Sequence, residues 1–122
     1  MNNTSNNSLE ITRGTIVMVD LPLGNGSVQG GMRPAVVVSN DKGNKFSPVL
    51  IVIPLTSRVK KPMPTHHTIE PSILNGLSKT SIALAEQIIT VGKDMVRNIV
   101  GTLEEVDINF INRKVMTSLA LF

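Results

Sequence analysis

Several residue types that carry common enzyme chemistry are absent or scarce in this 122-residue sequence. It has no cysteine, which excludes disulfide bridges, zinc–thiolate sites and a cysteine nucleophile. The two histidines, His66 and His67, are adjacent, and neighbouring residues of a strand point to opposite faces. We therefore expect both to lie on the surface and to bind no metal. Three phenylalanines, without tryptophan or tyrosine, are too few for a platform that stacks nucleic-acid bases.

Long apolar runs are also missing. The longest, Val49–Leu55, has seven residues, far below the roughly 18 of a membrane-spanning helix. The first eight residues, MNNTSNNS, have neither the basic start nor the apolar stretch of a signal peptide. We expect a disordered tail over 1–8, a single domain over 9–122, a cytoplasmic location and no membrane partner.

Positive charge is concentrated in one segment. The net charge is +3, but residues 33–61 carry six basic side chains against Asp41 alone. Such a segment suits phosphate binding, because neutralising phosphates supplies most of the affinity for nucleic acid. An ordinary solvated loop surface is the alternative.

The first two-thirds of the chain has the short β-branched runs of strands, separated by turn residues. The predicted strands are Ile16–Val19, Pro34–Ser39, Val49–Leu55, Thr65–Glu70 and Ser81–Ile88. Between the second and third, Asn40–Asn44 predicts a turn, and the two strands an antiparallel pair. Residues 92–99 are predicted to be a loop or one helical turn.

A long helix is predicted at the end of the chain. Thr102 and Glu105 have the spacing of a capping box, with the threonine as N-cap. Apolar residues such as Phe110 and Ile111 cover a wide arc, which indicates packing on the sheet and on a partner. Short strands with one terminal helix predict a mainly β (α+β) fold, a small barrel with a C-terminal helix.

Motifs of dinucleotide-binding and P-loop proteins and of serine hydrolases are absent. What remains is a series of short motifs in a fixed order. They are Gln29-Gly30-Gly31-x-Arg33-Pro34, Asn40-Asp41, Ser47-Pro48, Leu55-Thr56-Ser57 and Glu86-Gln87-Ile88. Together they resemble the MazF/PemK toxin endoribonucleases, and the resemblance extends from Arg13 to Phe122.

The resemblance implies an SH3-like barrel of the CcdB/MazF type, a homodimer, and inhibition by a MazE-like antitoxin. It implies sequence-specific cleavage of single-stranded RNA (mRNA) without metal or cofactor. The catalytic positions of the family fall on Arg33 and Thr56. The RNA-binding positions expected here are Ser27, Gln29, Arg13, Ser57, Arg58, Glu86 and Gln87.

Cleavage by the neighbouring 2′-hydroxyl gives a 2′,3′-cyclic phosphate and a 5′-hydroxyl, and it suits this limited set of side chains. Arg33 offers a fixed cationic fork for the phosphate, and Thr56 a hydroxyl donor. A threonine hydroxyl is too weakly basic to take the 2′ proton unaided. The base therefore stays open between Glu86, which the alternating pattern directs inward, and solvent.

Each assignment has a simpler alternative. Arg33 would pair with Asp41 on the surface, Thr56 would cap a turn, and Gln87 would be a polar strand residue. A non-enzymatic toxin of the same fold that acts on DNA gyrase is the second functional hypothesis. Thr15 and Ile89 depart from the family pattern, so the base preference does not transfer from relatives.

Overall fold

The structure is a computed structural model, and it describes residues 11–22, 24–26 and 28–121. The predicted tail and the predicted RNA-binding residue Ser27 lie outside the described residues. No helix within these ranges is long and apolar enough to cross a membrane.

The described chain alternates short strands with two helices. The strands are β1 (Thr15–Leu21), β2 (Gly31–Val37), β3 (Val49–Thr56), β4 (His66–Ile69), β5 (Ser81–Leu84), β6 (Ile89–Gly92) and β7 (Val96–Thr102). The helices are α1 (Asp41–Phe46) and α2 (Glu105–Leu119), and single 3₁₀ turns cover Ala85–Gln87 and Lys93–Met95. The mainly β fold with a C-terminal helix is therefore confirmed.

The strands form one antiparallel sheet in the order β4-β5-β3-β2-β1-β7. Strand β3 organises it, because β6 pairs with its first half and β5 with its last two residues. Its other side pairs with β2, as the sequence predicts. Within the described residues the end strands β4 and β7 are not paired with each other, so the barrel is open.

Apolar residues on both faces of the sheet build two cores. Along β3, Leu50 and Val52 belong to a core shared with β1, β2 and β6, whereas Ile53 and Leu55 face a second core. Helix α2 covers the second core with the buried side chain of Ile111. Burial on both faces explains why these strands read as continuous apolar runs.

The predicted turn after β2 is wrong, because the chain forms helix α1 there. Asn40 Oδ1 accepts a hydrogen bond from the amide of Gly43 at 2.8 Å, which makes Asn40 the N-cap. Asparagine favours turns and helix starts for the same reason, since its side chain replaces a backbone acceptor. The following residues then continue into a helix.

The end of the sheet also differs from the sequence prediction. Residues 92–99, predicted to be a loop or one helical turn, contain the 3₁₀ turn Lys93–Met95, but Gly92 ends β6 and Val96 begins β7. Thr102 is the last residue of β7. Pairing with Thr15 keeps Thr102 extended, so Glu104 is the N-cap of α2 and the capping box is absent. Long-range pairing outweighs the local capping signal.

Candidate active site

A cavity of about 410 Å³ opens where β2 begins and β3 ends. Arg33, Thr56, Ser57 and Arg58 line one side, and the loop 76–79 lines another. The described residues of the lining include three cations, Arg33, Arg58 and Lys79, and no acidic residue. Such a cavity favours an anionic ligand.

The geometry of β2 and β3 brings Arg33 and Thr56 to this cavity. The pairing of the two strands ends at Ala35 and Pro54. Arg33 and Thr56 each lie two residues further along, where β3 turns away to pair with β5. The sheet therefore opens between these two residues, and both side chains line the gap.

Arg33 is held by the backbone of Gly30, which lies in the glycine-rich loop before β2. Its Nε donates to the carbonyl oxygen of Gly30 at 3.1 Å. Burial lowers the pKa of Arg33, and the nearby Arg58 lowers it further, but a guanidinium remains a cation near neutral pH. The alternative role of Arg33, a surface pair with Asp41, is not observed, and the Asp41 carboxylate accepts from the amide of Arg13 at 2.6 Å. The guanidinium thus has no ion-pair partner among the described residues.

Thr56 is buried, and its hydroxyl makes one hydrogen bond with a neighbouring residue. Its Oγ1 accepts from the amide of Arg58 at 3.2 Å, which is the turn-capping bond expected of a strand-end threonine. Because a hydroxyl accepts and donates at once, this bond leaves the hydrogen of Thr56 available to a ligand in the cavity.

The opposite side of the cavity is a loop that sequence reasoning does not assign to the site. Asn75 is fully buried, and its Oδ1 accepts from the amides of Ser72 (2.9 Å) and Leu77 (3.0 Å). Its Nδ2 donates to the carbonyl of Glu70 at 2.9 Å. Gly76 follows with a φ of 68°, and the loop then presents Lys79 to the cavity. The Asn75-Gly76 pair is a sequence signal for a turn, but not for this function.

Gln29 and Gln87, both expected to bind RNA, are joined directly. Gln87 Oε1 accepts from the backbone amide of Gln29 at 2.7 Å. Gln87 lies in the 3₁₀ turn after β5, so the predicted strand ends earlier, at Leu84. The glycine-rich loop is therefore attached to this turn.

Glu86 does not point inward with Ile82 and Leu84, as the alternating pattern predicts. The 3₁₀ turn rotates it outward, where its carboxylate accepts from Thr65 Oγ1 at 2.8 Å and contacts His66 Nε2 at 3.1 Å. Burial raises the pKa of Glu86, but the bonds from Thr65, its own backbone and His66 outweigh this and leave the pKa lowered. Glu86 is not among the described residues that line the cavity.

The sequence was compared with known protein families and curated proteins, and it matches one family over most of its length. Residues 12–119 match the family of PemK-like, MazF-like toxins of type II toxin–antitoxin systems. The chain belongs to this family. It is 40% identical over 110 residues to endoribonuclease MazF of Staphylococcus saprophyticus, which covers 89% of this chain and 91% of that protein.

Solved structures of similar proteins have the same architecture. A mycobacterial endoribonuclease, solved in complex with its cognate antitoxin, matches with a TM-score of 0.77 at 28% identity, over 92% of this chain and 97% of that one. MazF of Deinococcus radiodurans matches with a TM-score of 0.76 at 23% identity, over 90% and 96% of the two chains. The MazF-type fold expected from the motifs is confirmed.

Arg13, predicted to bind RNA, lies apart from the cavity of this MazF-type domain. Its Nε donates to the carbonyl of Val38 at 3.1 Å and its Nη2 to Asn112 Oδ1 at 2.5 Å. These bonds attach helix α2 to the end of β2.

The prediction that both histidines lie on the surface is wrong. The side chains of His66 and His67 are 9% and 14% exposed, and each contacts a carboxylate. His66 faces the 3₁₀ turn, whereas His67 faces α2 and lies 2.7 Å from Asp107. Elements on both sides of β4 thus cover the two rings. Within the described ranges, no three histidine, aspartate or glutamate side chains gather into a metal-binding group.

Proposed function

We propose that this protein is a toxin endoribonuclease that cuts single-stranded RNA at defined sequences without a metal ion. Membership of the MazF-like family and identity to an endoribonuclease support the activity. The observation that carries the proposal is the cavity in which Arg33 and Thr56 meet with no described acidic residue in the lining.

The proposed reaction is attack of a 2′-hydroxyl on the adjacent phosphorus. The new P–O2′ bond forms as the P–O5′ bond breaks, which leaves a 2′,3′-cyclic phosphate and a 5′-hydroxyl. Arg33 stabilises the added negative charge, and Gly30 fixes its Nε so that the terminal nitrogens serve the phosphate. Thr56 donates its hydroxyl hydrogen to a phosphate oxygen.

Solvent is the better candidate for the proton acceptor. No carboxylate or imidazole occurs among the described residues that line the cavity. Glu86 has both oxygens engaged and a lowered pKa, which makes it a poor base. We therefore propose that the 2′ proton leaves to water and that water protonates the 5′ oxygen.

The remaining RNA-binding residues divide into two groups. Ser57 and Arg58 line the cavity and are proposed to contact the backbone of the RNA. Gln29 and Gln87 are proposed to contact an RNA base next to the cleaved phosphate. Because the guanidinium of Arg13 is bound by Val38 and Asn112, we propose that it holds α2 in place instead of contacting RNA.

Cleavage in EDTA tests this function. The purified protein should cut a long transcript, and the products should carry 2′,3′-cyclic phosphate and 5′-hydroxyl ends. Arg33→Ala should lower the rate at least about a hundredfold, whereas Lys42→Gln, on exposed helix α1, should not change it.

Two results would reject the proposal. One is the absence of cleavage by the wild-type protein, and the other is full activity of Arg33→Ala. Inhibition of DNA gyrase with intact RNA would instead favour the non-enzymatic toxin.

We also propose that the protein acts in the cytoplasm as a homodimer, inhibited by an acidic antitoxin segment that covers the cationic cavity. A second copy would cover apolar side chains that this chain leaves exposed. On β3, Val49 and Ile51 are 40% and 39% exposed, although a strand facing water normally carries polar residues there. Light scattering that finds a monomer at micromolar concentration would contradict the dimer.

A further inference from the structure

The glycine-rich loop that holds Arg33 is connected to strand β4 by a series of hydrogen bonds. Thr65, His66 and Glu86 form the first part of this connection. Both oxygens of Glu86 are engaged, Oε1 by Thr65 Oγ1 at 2.8 Å and Oε2 by His66 Nε2 at 3.1 Å. The amide of Ala85 also donates to the carbonyl of Thr65 at 3.1 Å. The 3₁₀ turn 85–87 is therefore fixed against the start of β4.

From this turn the connection continues to the cavity. Gln87 Oε1 accepts from the amide of Gln29, and the carbonyl of the next residue, Gly30, accepts from Arg33 Nε. The position of the guanidinium thus depends on the loop, and the position of the loop depends on the turn. A small displacement of a reacting group lowers the rate of an enzyme steeply.

The ring of His66 contacts Glu86 through one nitrogen. A carboxylate accepts only, so Nε2 is the donor of this bond. Nδ1 is buried and has no hydrogen-bond partner among the described residues. The contact with Glu86 is therefore the one hydrogen bond that the structure gives this ring among the described residues.

We propose that Thr65, His66 and Glu86 are positioning residues for RNA cleavage. They fix the 3₁₀ turn, which holds Gln29 and, through Gly30, directs Arg33 into the cavity. This inference rests on the proposed ribonuclease function. It assigns Glu86 to the support of the catalytic centre and not to proton transfer.

A pair of substitutions at His66 provides the sharpest test. The amide nitrogen of glutamine reaches about as far as Nε2 of histidine, whereas that of asparagine is too short. His66→Gln should therefore keep the bond to Glu86 and stay within about twofold of the wild-type kcat. His66→Asn should lower kcat about tenfold or more. Its KM, and its binding to RNA made uncleavable by 2′-O-methylation, should change less.

His67→Asn is the matched control, because it removes the neighbouring histidine, which also contacts a carboxylate but faces α2. It should lower the thermal midpoint and leave the kcat of the folded protein unchanged. Equal kcat for folded His66→Asn and the wild type would overturn the proposal. So would equal losses of kcat in His66→Asn and His67→Asn.

A second measurement separates this inference from the ribonuclease function. In NMR spectra the Arg33 Nε–H signal and the hydrogen exchange of the Gln29 amide report the two bonds directly. Both should change in His66→Asn and not in His67→Asn, even if the wild type cuts no RNA. If the wild type cleaves and neither signal changes, the positioning role is wrong and the ribonuclease function stands.

Discussion

The imidazole of His67 and the carboxylate of Asp107 lie 2.7 Å apart and join strand β4 to helix α2. The same ring stacks on Phe110, with centroids 5.0 Å apart and planes at 14°. Strand β4 is at one end of the sheet, so a side-chain contact to the helix supplies support that a further strand would give. The pair is largely buried, which makes the loss of either partner costly.

Asp107→Ala should therefore lower the free energy of unfolding by about 1–3 kcal/mol, because His67 loses its partner. Glu105→Ala is the matched control, since it also removes an acid from the first turn of α2 but is exposed. Both variants lose the favourable interaction of a first-turn acid with the helix dipole, so this loss cancels in the comparison. Urea denaturation measures the free energy of unfolding of both variants. Equal losses would show that the contact between Asp107 and His67 adds nothing to stability.

Asn75, buried behind the loop 76–79 that lines the cavity, should be sensitive to substitution. Asn75→Ala leaves the amides of Ser72 and Leu77 without their acceptor, so we expect a loss of at least about 2 kcal/mol in stability. The exposed Asn98 of β7 provides the control Asn98→Ala, which should cost much less. Denaturation midpoints measure both, and a small effect at Asn75 would contradict the role of its side chain.

Lys79 should contribute one phosphate contact on the far side of the cavity. Lys79→Gln should weaken RNA binding several-fold and reduce the slope of log affinity against log salt by about 0.7. Lys42→Gln makes the same charge change away from the cavity and should keep the wild-type slope. Fluorescence titration at several salt concentrations measures this. An unchanged slope in Lys79→Gln would exclude the contact.

Local sequence is enough to predict the elements whose contacts are close in the chain. The pairing of β2 with β3 follows from two apolar runs and the polar residues between them. The catalytic roles of Arg33 and Thr56 stay predictions, made because each belongs to a short motif that resembles the family. The cavity then forms where those two strands separate.

Long-range contacts explain what could not be predicted. The burial of His67 depends on Asp107 and Phe110, which lie on a helix 40 residues further along. Lys79 belongs to none of the sequence motifs. It lines the cavity because the hydrogen bonds of the buried Asn75 shape the loop that carries it. Thr102 has a sound capping pattern, but strand pairing with β1 keeps it extended.

The pH dependence of stability should reveal the state of Glu86. Burial raises its pKa, but the hydrogen bonds outweigh burial, so the folded pKa lies below the ordinary value of 4.5. A lowered pKa stabilises the fold above the unfolded pKa, and this contribution is lost as the pH falls through the folded pKa. The stability difference between wild type and Glu86→Gln should therefore shrink between about pH 5 and pH 3.

Urea denaturation at each pH measures that difference, with Glu105→Gln as the control for loss of an exposed acid. A difference that grows as the pH falls would mean a raised pKa in the folded protein. Glu86 would then hold a proton more readily than a free carboxylate, which is the property of a general base. That result would argue against solvent as the proton acceptor, whereas the expected decrease leaves Glu86 as an ionised support for the turn that carries Gln87.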